Sequence, residues 1–106
     1  MDIMTDRDLR IKPARPTKRC LKMLDRAIKY YKEKAPDQAE IISRQFFKAI
    51  RLLETMPGIG AEYKDNMRKF LLGKFPYYIY YKEKAQYISI RGIWHTSRGT
   101  EFEEIL

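Results

Sequence analysis

The segment near residue 95 of this 106-residue chain holds the side chains best suited to chemistry on a phosphate group. His95 is the only histidine, and Arg91 and Arg98 stand on either side of it. Metal-free cleavage of RNA needs an acid or base of this kind, together with cations that hold the phosphate. No second acid or base is identifiable, so His95 cannot support catalysis alone. The alternative is that His95 forms a hydrogen bond at the end of a strand, and that all three residues contact a partner.

A second group of candidates is cationic. Residues 10–34 carry ten basic and two acidic side chains, so this segment alone accounts for the net charge of +8 of the whole chain. Such a surface attracts polyanions or an acidic protein in a salt-dependent way. A lysine-rich helix face that contacts only water fits the pattern equally well. The candidate partner-binding side chains here are Lys18, Lys22, Arg26 and Lys29.

Tyrosines form the third group of candidates. Five of them follow one another closely: Tyr77, Tyr78, Tyr80, Tyr81 and Tyr87. Such a series can stack on nucleobases, but more often it fills a core on one face of a sheet and a protein interface on the other. We therefore take Tyr78 and Tyr80 as candidates for contact with a partner.

The counts of cysteine and histidine exclude two common stabilising devices. A single cysteine, Cys20, cannot form an intramolecular disulfide, and one histidine is too few for a zinc cluster. The acidic residues are scattered as single charges, apart from Glu101, Glu103 and Glu104 near the end of the sequence. We therefore expect no metal and no cofactor.

Length and composition indicate one small domain. With 106 residues, of which 44% are hydrophobic and 34% charged, the chain has material for a single core. We take residues 1–106 as one domain with its core at about 9–98. Residues 1–10 include charged side chains where a secretory signal would be apolar. No apolar run approaches the roughly 20 residues of a membrane span. The expectation is a cytoplasmic protein without a membrane partner.

Two amphipathic helices are predicted in the first half. Apolar residues recur at spacings of three and four, which predicts a helix from the N-cap Thr17 to about Lys34. Asp37 and Glu40 form a capping-box pattern for a second helix, which ends at residues 56–58. Because the link between the helices is very short, we expect an antiparallel hairpin.

In the second half of the chain, apolar and polar residues alternate with the period of two that is typical of β-strands. A short edge strand is predicted before the helices and three strands after them, at 9–15, 67–72, 77–82 and 87–94. Short connections make the last three an antiparallel meander. The prediction is an α+β domain of order β-α-α-β-β-β, in which a helical hairpin packs on a small antiparallel twisted sheet.

Alternation in the last strand assigns its side chains to two faces. One face receives Ile88, Ile90 and Trp94, and the other receives Tyr87, Ser89, Arg91, Ile93 and His95. We expect the first face to pack against the helices and the second to be open.

Four features carry a resemblance to known proteins. They are the basic amphipathic helix, Leu53-Glu54-Thr55-Met56-Pro57 followed by Gly60, Phe75-Pro76-Tyr77-Tyr78-Ile79-Tyr80-Tyr81, and Ile93-Trp94-His95-Thr96-Ser97-Arg98. In this succession they resemble the RelE/ParE family of toxins from type II toxin–antitoxin systems. The resemblance implies a growth-inhibiting toxin, neutralised in a hetero-oligomer by an acidic antitoxin whose C-terminal segment wraps the helical hairpin and the sheet.

Two activities divide that family. RelE-like members cleave ribosome-bound mRNA without metal, using lysines and arginines on the central strands, whereas ParE-like members poison DNA gyrase. Here Tyr78 stands where such an arginine would be, and Thr96 follows His95. The resemblance therefore favours the ParE-like branch, with binding rather than catalysis.

Three alternatives stay open from the sequence. The first is a metal-independent mRNA endoribonuclease that uses His95 with Arg91 and Arg98. The second is a non-catalytic nucleic-acid-binding module, and the third is an inert toxin that still binds its antitoxin.

Overall fold

The computed structural model describes residues 11–97. Its elements are β1 (Ala14–Pro16), α1 (Lys18–Lys34), α2 (Pro36–Thr55), β2 (Ala61–Glu62), β3 (Met67–Leu71), β4 (Tyr77–Glu83) and β5 (Ile88–His95). The five strands form one sheet in the order β1-β5-β4-β3-β2. Both helices contribute to a single core with the strands on one face of that sheet. This confirms the α+β prediction of a helical hairpin on a sheet.

The first helix follows its sequence pattern. Thr17 is the N-cap, and its side-chain oxygen accepts a hydrogen bond from the Cys20 backbone N–H at 3.0 Å. The helix buries Cys20, Leu24 and Ala27 against the sheet. Its opposite side carries the cationic residues, so the predicted amphipathic helix is confirmed.

The second helix begins differently from its prediction. The capping box at Asp37 and Glu40 is wrong, because Ala35 occupies the N-cap and makes no side-chain hydrogen bond to the helix. Pro36 takes the first helical position. Its ring fixes the helical φ angle, and it has no N–H that needs a partner. At the other end, Met56 N–H donates to the Leu52 carbonyl at 2.9 Å.

The sheet is mixed, which corrects the prediction of an antiparallel one. The first strand spans only Ala14–Pro16 and lies parallel to β5, with Ala14 opposite Ile88. Residues 9 and 10 of the predicted strand lie outside the described residues. A further two-residue strand, Ala61–Glu62, pairs antiparallel with β3 and was not predicted. Side-chain alternation does not encode strand direction, so the sequence pattern could not distinguish these pairings.

A β-bulge interrupts β5 at Arg91. Tyr80 of β4 lies opposite Gly92, while the next residue, Tyr81, lies opposite Ile90. Arg91 is therefore an extra residue without a partner in the β4–β5 register. Such an insertion shifts every following side chain to the other face of the sheet.

The bulge overturns the predicted faces of the last strand. Ile93 joins Ile88 in the core beneath the helices, whereas Trp94 packs with a smaller cluster on the opposite face. His95 lies opposite Tyr77, a member of the helix-side core. His95 therefore lies on the helix side of the sheet, and not on the open face with Arg91 as predicted.

A buried tyrosine fixes the loop that follows α2. The Tyr81 hydroxyl donates to the Pro57 carbonyl at 2.7 Å and accepts from the Gly60 N–H at 2.9 Å. The loop approaches so closely that a Cβ on Gly60 would lie 2.6 Å from the Tyr81 Oη atom. Glycine is needed at this position for space, because its φ angle of −76° is one that any residue adopts.

Candidate partner-binding surface

A groove runs between α1 and the end of β5; we call it the α1–β5 groove. Its volume is about 330 Å³, and residues of α1 form one wall while the ends of β4 and β5 form the other. The side chains that line it include Met23, Arg26, Tyr30, Tyr77, Trp94 and His95. Apolar and polar groups both line it, so it suits an amphipathic ligand.

Aromatic contacts set the width of the α1–β5 groove. The Tyr31 ring of α1 meets the Phe75 ring edge-on, with centroids 5.5 Å apart, and lies 6.5 Å from the Tyr77 ring. Tyr77 in turn meets the His95 ring edge-on at 5.1 Å. Edge-to-face pairs of this kind favour a fixed geometry. They hold α1 and the sheet at a set spacing.

The imidazole of His95 is engaged by the turn that follows its strand. His95 Nδ1 accepts a hydrogen bond from the Ser97 backbone N–H at 3.1 Å and lies 2.8 Å from the Ser97 hydroxyl. A backbone N–H can only donate, so Nδ1 is the acceptor and the ring proton of neutral His95 resides on Nε2. This contact matches the hydrogen bond at a strand end that the sequence left open.

The four candidate cations of α1 are all exposed: Lys18, Lys22, Arg26 and Lys29. Their spacing of four, four and three residues places them along one side of the helix. Lys29 forms an ion pair with Asp25 at 3.0 Å, but both side chains are mostly exposed, so the pair contributes little to stability. Arg26 lines the α1–β5 groove, so the cationic stripe leads directly to it.

Arg91 faces a different surface. With Lys82 and Asp65 it lines a depression of about 450 Å³ on the side of the sheet away from the helices. His95 lies on the helix side, so the structure does not bring Arg91 and His95 together. Arg98, the third member of the nuclease hypothesis, lies outside the described residues.

The two candidate tyrosines also lie on the open side. Tyr78 is half-buried, and the Lys69 ammonium lies 4.6 Å from the centre of its ring. Tyr80 is only 5% exposed and makes edge-on contacts with Tyr78 and Tyr63. Tyr80 therefore supports these rings from beneath, whereas Tyr78 retains accessible surface.

The sequence did not predict several residues that line the α1–β5 groove. Met23, Tyr30 and Trp94 line it, yet none was a candidate. Tyr30 is 52% exposed on the helix that carries the cationic stripe, and an aromatic residue at an exposed position was the available signal. Trp94 was assigned to the wrong face because the bulge was not predictable from alternation.

Cys20 does not offer a reactive group. It is fully buried, and desolvation raises the pKa of its thiol to about 12. The thiolate is the nucleophilic form, so this cysteine is inert at neutral pH. Within residues 11–97, no three His, Cys, Asp or Glu side chains converge as a metal site would require. Neither described helix is long and apolar enough to cross a membrane.

Comparison with known proteins relates the chain to a family. The family described as the ParE toxin of the type II toxin–antitoxin system parDE matches residues 14–99. A solved structure of the chromosomal ParDE toxin–antitoxin system from P. aeruginosa superposes with a TM-score of 0.73 at 18% identity, covering 82% of this chain and 98% of that chain. At this identity the structural likeness supports the fold. No curated protein sequence matches the chain.

Proposed function

The chain belongs to the ParE toxin family of type II toxin–antitoxin systems, and from this premise we propose that it stops growth by binding DNA gyrase in the cytoplasm until an acidic antitoxin neutralises it. The observation that carries the proposal is the family match over residues 14–99. Gyrase is the target that the resemblance to ParE-like toxins implies.

Two placements support binding over catalysis. Arg91 lies at a bulge on the open side, whereas His95 lies on the helix side with its Nδ1 atom engaged by Ser97. A nuclease site needs its acid, its base and its cations around one phosphate. The positions of these two residues do not provide that convergence.

The antitoxin surface is the cationic stripe of α1 together with the α1–β5 groove. Carboxylates of an acidic amphipathic segment would pair with Lys22 and Arg26, while its apolar side chains would pack against Met23, Tyr30 and Trp94. Complementary charge speeds association, and burial of apolar surface stabilises the complex. A hetero-oligomer of toxin and antitoxin is the resting form in this proposal.

Induction of the isolated chain in bacteria tests the toxic activity. We expect growth arrest with loss of plasmid supercoiling and accumulation of gyrase–DNA cleavage complexes, in both the unmodified chain and His95→Ala. Fragmentation of mRNA that disappears in His95→Ala would establish the endoribonuclease alternative instead. Normal growth on induction would identify an inert toxin.

Charge reversal on α1 tests the antitoxin surface. The Arg26→Glu variant should lose neutralisation by a co-expressed acidic antitoxin encoded next to the toxin gene. Arg44→Glu, an equal charge change at an exposed position of α2, is the matched control and should remain neutralised. Equal neutralisation of both variants would contradict the proposed surface.

A further inference from the structure

We propose that residues 100–106, which we call the acidic tail, bind in the α1–β5 groove of the same chain and cover the surface on which the antitoxin acts. The observations that support the intramolecular contact are the groove and the sequence of the tail. The effect of the contact on antitoxin binding rests on the proposed function.

The acidic tail is an addition to the family domain. The family match ends at residue 99. The P. aeruginosa structure is covered over 98% of its own chain but accounts for only 82% of this one. The family match therefore does not include the tail.

The composition of the tail complements the groove. Within six residues the tail combines three carboxylates with three apolar side chains: Glu101, Phe102, Glu103, Glu104, Ile105 and Leu106. The groove offers the matching groups, since Arg26 provides positive charge and Met23, Tyr30 and Trp94 provide apolar surface. The tail has a net charge of −3, opposite in sign to the cationic stripe of α1, so the two attract each other.

The described part of the chain ends beside the groove, shortly before the tail begins. Ser97, the last described residue, lies in the wall of the groove. Nine further residues can span roughly 30 Å when extended, whereas the stripe from Lys18 to Lys29 covers only about 16 Å along α1. A short tether gives an effective concentration in the millimolar range, so even a weak contact is populated.

Occupation of the groove by the tail would lower the apparent affinity of the antitoxin for this surface. A partner that needs the open groove binds with an affinity reduced by the fraction of molecules in which the groove is open. An antitoxin segment that is more acidic or more apolar than the tail would displace it. Release of the tail would then accompany neutralisation.

Trp94 provides a direct readout, because it is the only tryptophan and lines the groove. Quenching of its fluorescence by acrylamide is compared in the full-length chain and in the triple variant Glu101→Gln, Glu103→Gln, Glu104→Gln. If the tail covers the groove in at least half of the molecules, the quenching constant should rise by at least about twofold in the variant. High salt should produce a similar rise in the unmodified chain.

A second triple variant controls for net charge. Glu33→Gln, Asp37→Asn and Glu40→Gln neutralise three exposed acids on the helices and should leave the quenching constant unchanged. Circular dichroism verifies that every variant is folded.

Three results would overturn the inference. The first is equal quenching in the unmodified chain and the tail variant. The second is salt-sensitive protection that survives the tail substitutions, which would identify another segment such as residues 1–10 as the occupant. The third is protection that disappears on dilution, which would identify a second copy of the chain. None of these measurements involves gyrase or an antitoxin, so they leave the proposed function to its own tests.

Discussion

Replacing Tyr81 with phenylalanine removes a hydroxyl that makes two hydrogen bonds to the loop between α2 and the meander. The side chain is fully buried. Its hydroxyl donates to the Pro57 carbonyl at 2.7 Å and accepts from the Gly60 N–H at 2.9 Å. The phenyl ring fills the same space, so the substitution isolates the two hydrogen bonds from packing.

The loss of stability depends on whether the Gly60 N–H and the Pro57 carbonyl can form other hydrogen bonds once the hydroxyl is removed. Gly60 is buried, so its N–H is left without a hydrogen-bond acceptor, at a cost of about 1–3 kcal/mol. Pro57 is half-buried, and water can replace part of its lost bond. We expect the free energy of unfolding to fall by about 2 kcal/mol, which for a domain of this size lowers Tm by roughly 8–16 °C.

Urea denaturation followed by circular dichroism and by Trp94 fluorescence measures this change, with coincident curves verifying two-state behaviour. Tyr78→Phe is the matched control. Tyr78 takes part in ring contacts, but no hydrogen bond of its hydroxyl is found within residues 11–97. It should shift stability by less than about 0.5 kcal/mol. Equal stability of the two variants would refute the role assigned to the Tyr81 hydroxyl.

Three further predictions concern stability. Gly60→Ala places a Cβ 2.6 Å from the Tyr81 hydroxyl and 2.8 Å from the Lys69 carbonyl oxygen, so urea denaturation should show a loss of about 1–3 kcal/mol; unchanged stability would show that the loop can move aside. Thr17→Ala removes the cap of α1 and should cost about 1 kcal/mol, whereas Thr17→Ser retains the oxygen and should cost less; equal losses would contradict the capping role. Burial raises the pKa of the Cys20 thiol from 9.0 to about 12, so between these pH values the folded chain keeps a proton that the unfolded chain releases. The free energy of unfolding should therefore fall as pH rises from 9 to 12, and Cys20→Ala should make that fall shallower; an equal slope in both chains would contradict it.

Local patterns in the sequence predicted the helices and the meander well. Apolar spacing and the Thr17 cap specify α1 because both signals act within a few residues. The parallel partner of β5 is different in kind, since β1 reaches it only after the chain has passed through both helices and the meander. No local pattern records such a pairing. The two-residue strand Ala61–Glu62 is too short to show an alternation.

Only one wall of the candidate surface has a local signal in the sequence. The cations of α1 follow from charge and helical spacing, and the structure places them beside a groove. The other wall depends on Trp94 and His95, whose positions are set by a single extra residue at Arg91. A bulge of this kind leaves no mark on the pattern of apolar residues. It therefore reversed the predicted faces of the strand end that forms the groove.

The proposed inhibition of gyrase is tested most directly by a supercoiling assay with purified gyrase, relaxed plasmid, ATP and the purified chain. We expect the chain to inhibit supercoiling and to trap cleaved DNA. An acidic antitoxin should reverse both effects for the unmodified chain but not for Arg26→Glu. Full supercoiling in the presence of excess chain, together with cleavage of ribosome-bound mRNA, would contradict the proposed inhibition.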